Sequence, residues 1–107
     1  MSLRAAVAEW RALPLSVVRF RRRAGRVARS IGDDFTLLSV TRADELGHLI
    51  ELARGRRFVV ELGTGTAWTT VSLALADSGR RVVSFDPTVW DTRERYLELA
   101  GSARERI

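Results

Sequence analysis

The chain has 107 residues, 46% of them hydrophobic, with 18 basic against 13 acidic residues and a formal net charge of +5. That is one small domain at most, with enough apolar content to bury a core and too much for a disordered polyelectrolyte. The absence of cysteine excludes disulfides, thiolate metal sites and a cysteine nucleophile, and no apolar run reaches the ~20 residues that span a bilayer.

All 18 basic residues are arginine. This reads first as a bias toward codons rich in G and C, so the positive charge is weak evidence for a nucleic-acid partner. Residues 1–30 carry one acid, Glu9, among many arginines, which is a transit-peptide composition. No apolar targeting core with a small-residue cleavage site accompanies it, and a cytoplasmic protein is the simpler expectation.

In chain order, residues 3–13 read as a short helix rich in alanine and leucine, with Trp10 packing the N-terminal helices. Pro14 breaks that helix or opens the next at its first turn. Residues 15–31 read as an amphipathic helix, because Val17, Phe20, Ala24, Val27 and Ile31 recur at spacings of three and four. Arg19, Arg22, Arg26 and Arg29 fall on its opposite face. Gly32-Asp33-Asp34 signals a loop, and residues 1–34 form an N-terminal helical, arginine-rich segment.

The second segment, residues 35–107, opens with Thr41 as an N-cap, followed by Asp44 and Glu45 at the positive end of a helix dipole. Leu46, Leu49, Ile50 and Ala53 make the apolar stripe of a helix over 42–54, with Gly55 as its C-terminal cap. Residues 57–62 read as a strand, continuously apolar in the middle like a buried parallel strand. A helix follows over 66–77, Ser78-Gly79 turns the chain, and 81–85 forms a second strand ending at Asp86-Pro87. Asp91 caps a final helix, with Glu94 completing a capping box; that helix carries Tyr96, Leu97 and Ala100 to the end of the chain. Two strands joined by a helical crossover are expected to be parallel. The fold class is therefore α/β, an incomplete Rossmann-like doubly wound sheet with two visible strands, preceded by N-terminal helices.

The chemistry concentrates in Phe58-Val59-Val60-Glu61-Leu62-Gly63-Thr64-Gly65-Thr66-Ala67-Trp68. A strand ends in an acid, then a Gly-x-Gly turn leads into a helix. Gly63 and Gly65 let the backbone turn sharply and a ligand approach closely. Their amides and the helix N-terminus suit an anionic group such as a carboxylate. Glu61 at the strand end repels a pyrophosphate and attracts an ammonium or sulfonium, which favours S-adenosylmethionine (SAM) over a dinucleotide. Asp86, at the end of the second strand and 23 residues after Gly63, lies at the offset of an acid that binds ribose hydroxyls. Both carboxylates are expected to face one crevice.

At these residues the sequence resembles class I SAM-dependent methyltransferases, in particular the small O-methyltransferase-like branch. The resemblance runs from about Thr36 to Ile107 and includes the helix Ala43-Asp44-Glu45-Leu46-Gly47-His48-Leu49-Ile50 ahead of the glycine motif. The family pattern Glu-x-Gly-x-Gly-x-Gly matches as Glu61-Leu62-Gly63-Thr64-Gly65-Thr66-Ala67. It implies that Glu61, Gly63, Thr64 and Gly65 hold the methionine part of SAM, that Asp86 binds the ribose, and that Pro87 and Thr88 lie near the adenine edge. It also implies methyl transfer to an oxygen or nitrogen of a small-molecule acceptor. Ala67 departs from the family glycine, and its methyl crowds the helix start. An NAD site would need glycine at position 68, which is Trp68.

Other residues attract less. His48 is the only histidine, so a multi-histidine metal site is impossible, and its helical angle turns it to solvent. Asp33-Asp34 have no partner for a metal site. Trp68 divides between a substrate mouth and packing at the helix start, and Trp90 could touch adenine. The arginine face over 15–31 reads as a solvated face, then as a contact for an acidic partner, and only third as a nucleic-acid surface, since no binding module or interleaved aromatic set accompanies it. No catalytic residue is nominated and no metal ligand is expected. A two-stranded sheet is rarely stable alone, so the chain is expected to be an excerpt, a truncation, or a subunit whose sheet is completed by a second copy (a homo-oligomer) or another partner. The competing reading is a non-catalytic basic interaction module with a degenerate cofactor site; an NAD-dependent oxidoreductase comes last.

Overall fold

Apolar spacing and two backbone breakers set the N-terminal half. A computed structural model describes residues 2–107. Helix α1 spans Leu3–Ala12 and α2 spans Leu15–Ile31. Pro14 stands at the N-cap of α2 in an extended conformation, and its carbonyl accepts from the Val17 and Val18 amides. The stripe expected on α2 is present: Val17, Phe20 and Ala24 are buried, joined by Val18, Gly25 and Ala28. Gly32, at φ 69°, ends the helix in the left-handed conformation and donates to the carbonyls of Ala28 and Arg29. Trp10 does not pack the helices as expected; it is 59% exposed.

The loop expected at Gly32-Asp33-Asp34 is shorter than that, because a further helix, α3 (Asp34–Ser39), begins inside it. The Asp33 side chain caps it, accepting from the Thr36 amide and hydroxyl at 3.2 and 2.6 Å. Helix α4 covers Ala43–Leu52, and its N-cap is Arg42, not Thr41. The Thr41 hydroxyl turns instead to Thr69 (3.2 Å), and its carbonyl accepts from Arg21. Ala53 is the C-cap, and Gly55, at φ 77°, reverses the chain two residues later.

Strand β1 (Phe58–Leu62), helix α5 (Trp68–Ala76) and strand β2 (Arg81–Phe85) form the parallel unit, in register from Phe58 with Arg81 to Leu62 with Phe85. The architecture is mixed α/β with a two-stranded parallel sheet. The continuous apolar run of β1 predicts cover on both faces, but only one face has it. Phe58, Val60 and Leu62 are exposed, as is Phe85, while Val59 and Val82 point toward the helices. The last helix is also split. Helix α6 spans only Arg93–Glu98, and Gly101, at φ 60°, starts a separate 3-10 turn over Gly101–Arg106. Neither Asp91 nor Glu94 forms the expected capping box: the N-cap is Thr92, whose side chain makes no capping bond.

Helix α5 is the centre, buried on nearly every side at Trp68, Thr70, Val71, Ser72, Leu73 and Ala74. One apolar cluster joins it to α2, β2 and the C-terminal turns through Phe20, Ala24, Ala28, Val82, Tyr96 and Ala103. A smaller cluster holds Leu13, Val17, Val18 and Leu46. The 1–34 and 35–107 segments thus share one core. Two arginines satisfy the backbone around it. Arg80, 2% exposed, donates to the carbonyls of Ala53, Arg56 and Leu73. Arg106 donates through one nitrogen to Ala74, Asp77 and Arg80. The orphan carbonyls at the C-terminal end of α5 thereby gain cationic donors. Among the described residues no helix is long and apolar enough to cross a membrane.

Candidate functional site

The site is built where β1 ends. The Gly63 amide makes one last ladder bond to the Phe85 carbonyl at 2.7 Å, and the backbone then leaves the sheet. Gly63 at φ 95° and Gly65 at φ 55° adopt conformations that a side chain would strain. Ala67 does the same at φ 75° and is fully buried, so the crowding expected from its methyl takes the form of backbone strain at the N-cap of α5.

Glu61 sits on the covered face of β1. Its Oε1 accepts hydroxyl bonds from Thr70 on α5 and from Ser84 on β2, the latter at 2.6 Å. Ser84 in turn lies 2.6 Å from the Thr64 hydroxyl. These hydroxyls orient the carboxylate, yet among the described residues none of its oxygens has a cationic partner. Glu61 borders a cleft of about 250 Å³ together with Gly63, Thr64, Gly65, Thr41 and Thr69.

Asp86 is placed differently. Its Oδ2 accepts from the Gly65 amide at 2.6 Å and its Oδ1 from the Thr88 amide at 2.8 Å. Arg93 stands 3.5 Å from Oδ2, while its Nε donates to the Gly65 carbonyl and its Nη2 to the Thr88 carbonyl, both at 2.8 Å. The Thr88 and Gly65 amides hold the Asp86 carboxyl below the usual range; burial opposes them and Arg93 adds to them. Asp86 therefore ties the glycine turn to the end of β2. It borders a second cleft, of about 530 Å³, with Ser84, Phe85, Arg93 and Leu97. The two carboxylates do not open onto one crevice: each borders its own cleft, and Thr64 borders both. Pro87 is exposed and borders neither.

The tryptophans resolve as well. Trp68 is 7% exposed and packs edge-on against Phe20 and Tyr96, with centroids 6.1 and 5.6 Å away. It is a core residue that also walls the Glu61 cleft. Trp90 stacks on Phe35 at 4.5 Å. His48 is exposed, as its helical angle predicts. Three contributors escaped the sequence reading: Thr70, Ser84 and Arg93. Ser84 carried a signal, because a polar residue in register with Glu61 on a parallel strand points to the same face. Arg93 carried none. Among the described residues no three His, Cys, Asp or Glu side chains converge to hold a metal. No protein-family model, curated protein or solved structure matches this chain.

Proposed function

We propose that the chain is the SAM-binding part of a methyltransferase, built as an incomplete Rossmann-like sheet. The observation that carries this reading is Glu61: an oriented carboxylate, without a cationic partner among the described residues, bordering one cleft together with Gly63, Thr64 and Gly65. A negative charge there suits the ammonium and sulfonium of SAM, and the start of α5 suits its carboxylate. At about 250 Å³ the cleft takes the methionyl portion. The adenosyl portion would extend past Thr64 into the larger cleft. There the lone pairs that Asp86 does not spend on Gly65 and Thr88 can accept from ribose hydroxyls. When bound, SAM supplies an electrophilic methyl that passes to an oxygen or nitrogen acceptor, a reaction governed mainly by positioning. The uncovered face of Phe58, Val60, Leu62 and Phe85 supports an incomplete sheet in the same reading, since those side chains suit cover by further elements, whether from a second copy or another partner.

Calorimetry with SAM tests it. Glu61→Gln keeps an acceptor for Thr70 and Ser84 and removes only the charge. Wild-type protein is expected to bind saturably at millimolar concentration or tighter, and the variant roughly tenfold more weakly, the scale of one charge-assisted hydrogen bond. Absence of wild-type binding, or equal affinity in the variant, overturns the reading.

A further inference from the structure

Trp68 also borders a different cleft, about 190 Å³ in volume, lined by Glu9 of α1 and by Arg21, Arg22, Arg26 and Arg29 of α2. Four guanidinium groups face one carboxylate, so the lining carries a formal charge of +3. Glu9 lies 3.5 Å from Arg21 Nε and 3.9 Å from an Arg22 nitrogen, within ion-pair range but without hydrogen-bond geometry. The Arg21 side chain is 9% exposed and its Nε has no acceptor; the same holds for Arg22 Nε and for the indole Nε1 of Trp68. These three buried N–H donors sit on residues that border the cleft and have no hydrogen-bond acceptor among the described residues, and Glu9 Oε2, a buried acceptor on the same lining, has no donor; buried polar groups are almost always paired. Each is a donor only, and one Glu9 oxygen cannot serve donors on three side chains, so the lining has room for a further oxygen-rich acceptor.

We propose that this cleft binds a phosphoryl group, held by the guanidinium groups of Arg21, Arg22, Arg26 and Arg29 and by the Trp68 indole N–H. The planar guanidinium fork matches phosphate oxygens bidentately, and a dianion offsets more of the surplus charge of +3 than a monocarboxylate does. At about 190 Å³ the cleft is a local site, unlike the basic stripe that marks a nucleic-acid surface. Burial lowers the pKa of Arg21, and Glu9 restores it only in part, so a further anion would relieve the guanidinium. Gly25 also borders the cleft. It lies mid-helix on the cleft wall, where glycine weakens a helix, and a Cβ there would stand 3.3 Å from Arg29 Nη1. The cleft shares Trp68 with the Glu61 cleft, but the argument for it does not rest on the proposed SAM site.

The test follows the indole N–H resonances by ¹H–¹⁵N correlation spectroscopy, with Trp68→Phe to assign the one from Trp68. Titration with inorganic phosphate, and in parallel with phenyl phosphate, is run at constant ionic strength. A saturable shift of the Trp68 resonance is expected. It should weaken at least fivefold in Arg26→Gln/Arg29→Gln and stay unchanged in Arg19→Gln/Arg23→Gln, which alters exposed arginines of α2 outside the cleft. Tighter binding of phenyl phosphate identifies an esterified ligand, and tighter binding of inorganic phosphate identifies the free ion. No saturable shift with either, or equal weakening by both double variants, overturns the proposal.

Discussion

Asp33 shows how much one side chain can settle. It caps α3 through Thr36 and accepts the Tyr96 hydroxyl at 2.6 Å. Burial opposes its charge, but the bonds from Thr36 and Tyr96 prevail and hold its carboxyl below the usual aspartate range. The same pair pushes the Tyr96 phenol up, through burial first and Asp33 second. A carboxyl whose folded pKa lies below its unfolded value, about 4, contributes stability above that value and loses it as pH falls through the folded pKa. Asp33→Asn is therefore expected to flatten the decline in stability below about pH 4. Urea unfolding at pH 7, 5, 4 and 3 measures this, and parallel declines in the two proteins would count against it. Ala67 is the opposite case, a residue that costs. Its left-handed backbone is unfavourable by about 1–2 kcal/mol, and burying its methyl in the core returns only about 0.8 kcal/mol. Strain of that kind sits directly beside the glycine turn.

Among the elements, α4 depends on an absence. A Cβ on Gly47 would lie 2.6 Å from the Ala12 carbonyl oxygen and 3.1 Å from the Ala12 Cβ, so glycine is what lets α4 cross the end of α1. Gly47→Ala adds about 1 kcal/mol of helix propensity but forces backbone apart, at about 1–3 kcal/mol. A net destabilisation of about 1 kcal/mol is expected, read as a lowered thermal midpoint; an unchanged or raised midpoint would show that the helices part freely. Elements with a long period were legible before the structure: α2 from its stripe, and β1, α5 and β2 from the strand–glycine–helix pattern. Helix α3 was not, since six residues hold no stripe, although Asp33 with Thr36 three residues on was a usable capping signal. The split between α6 and the final 3-10 turn was equally legible in principle, at Gly101.

For the molecule as a whole, local chemistry was readable and placement was not. Glu61, Gly63 and Gly65 could be found because a turn's backbone needs are written in adjacent residues. That Asp86 would spend both oxygens on the chain itself depends on where the Thr88 amide and Arg93 come to rest. The arginine cleft needs α1 laid against α2 and Trp68 brought up from 40 or so residues away, and no periodicity reports that. The uncovered sheet face could not be read either, because a run such as Phe58-Val59-Val60 is equally apolar on both sides.

The bond between Tyr96 and Asp33 joins positions 63 residues apart, and this has a kinetic meaning. Closing a loop of that length costs about 4 kcal/mol of chain entropy, so the bond is expected only once the two halves of the chain have docked. Its loss should then appear almost entirely in how fast the protein opens. Tyr96→Phe, which removes about 1.5 kcal/mol from a hydrogen bond to a charged acceptor, is expected to speed unfolding roughly tenfold and leave the refolding rate within about twofold. Stopped-flow chevrons would show it, and a slowed refolding arm would place this contact in the folding nucleus instead. Tyr96 would thus act as a latch, setting the lifetime of the folded state while leaving the time taken to reach it unchanged.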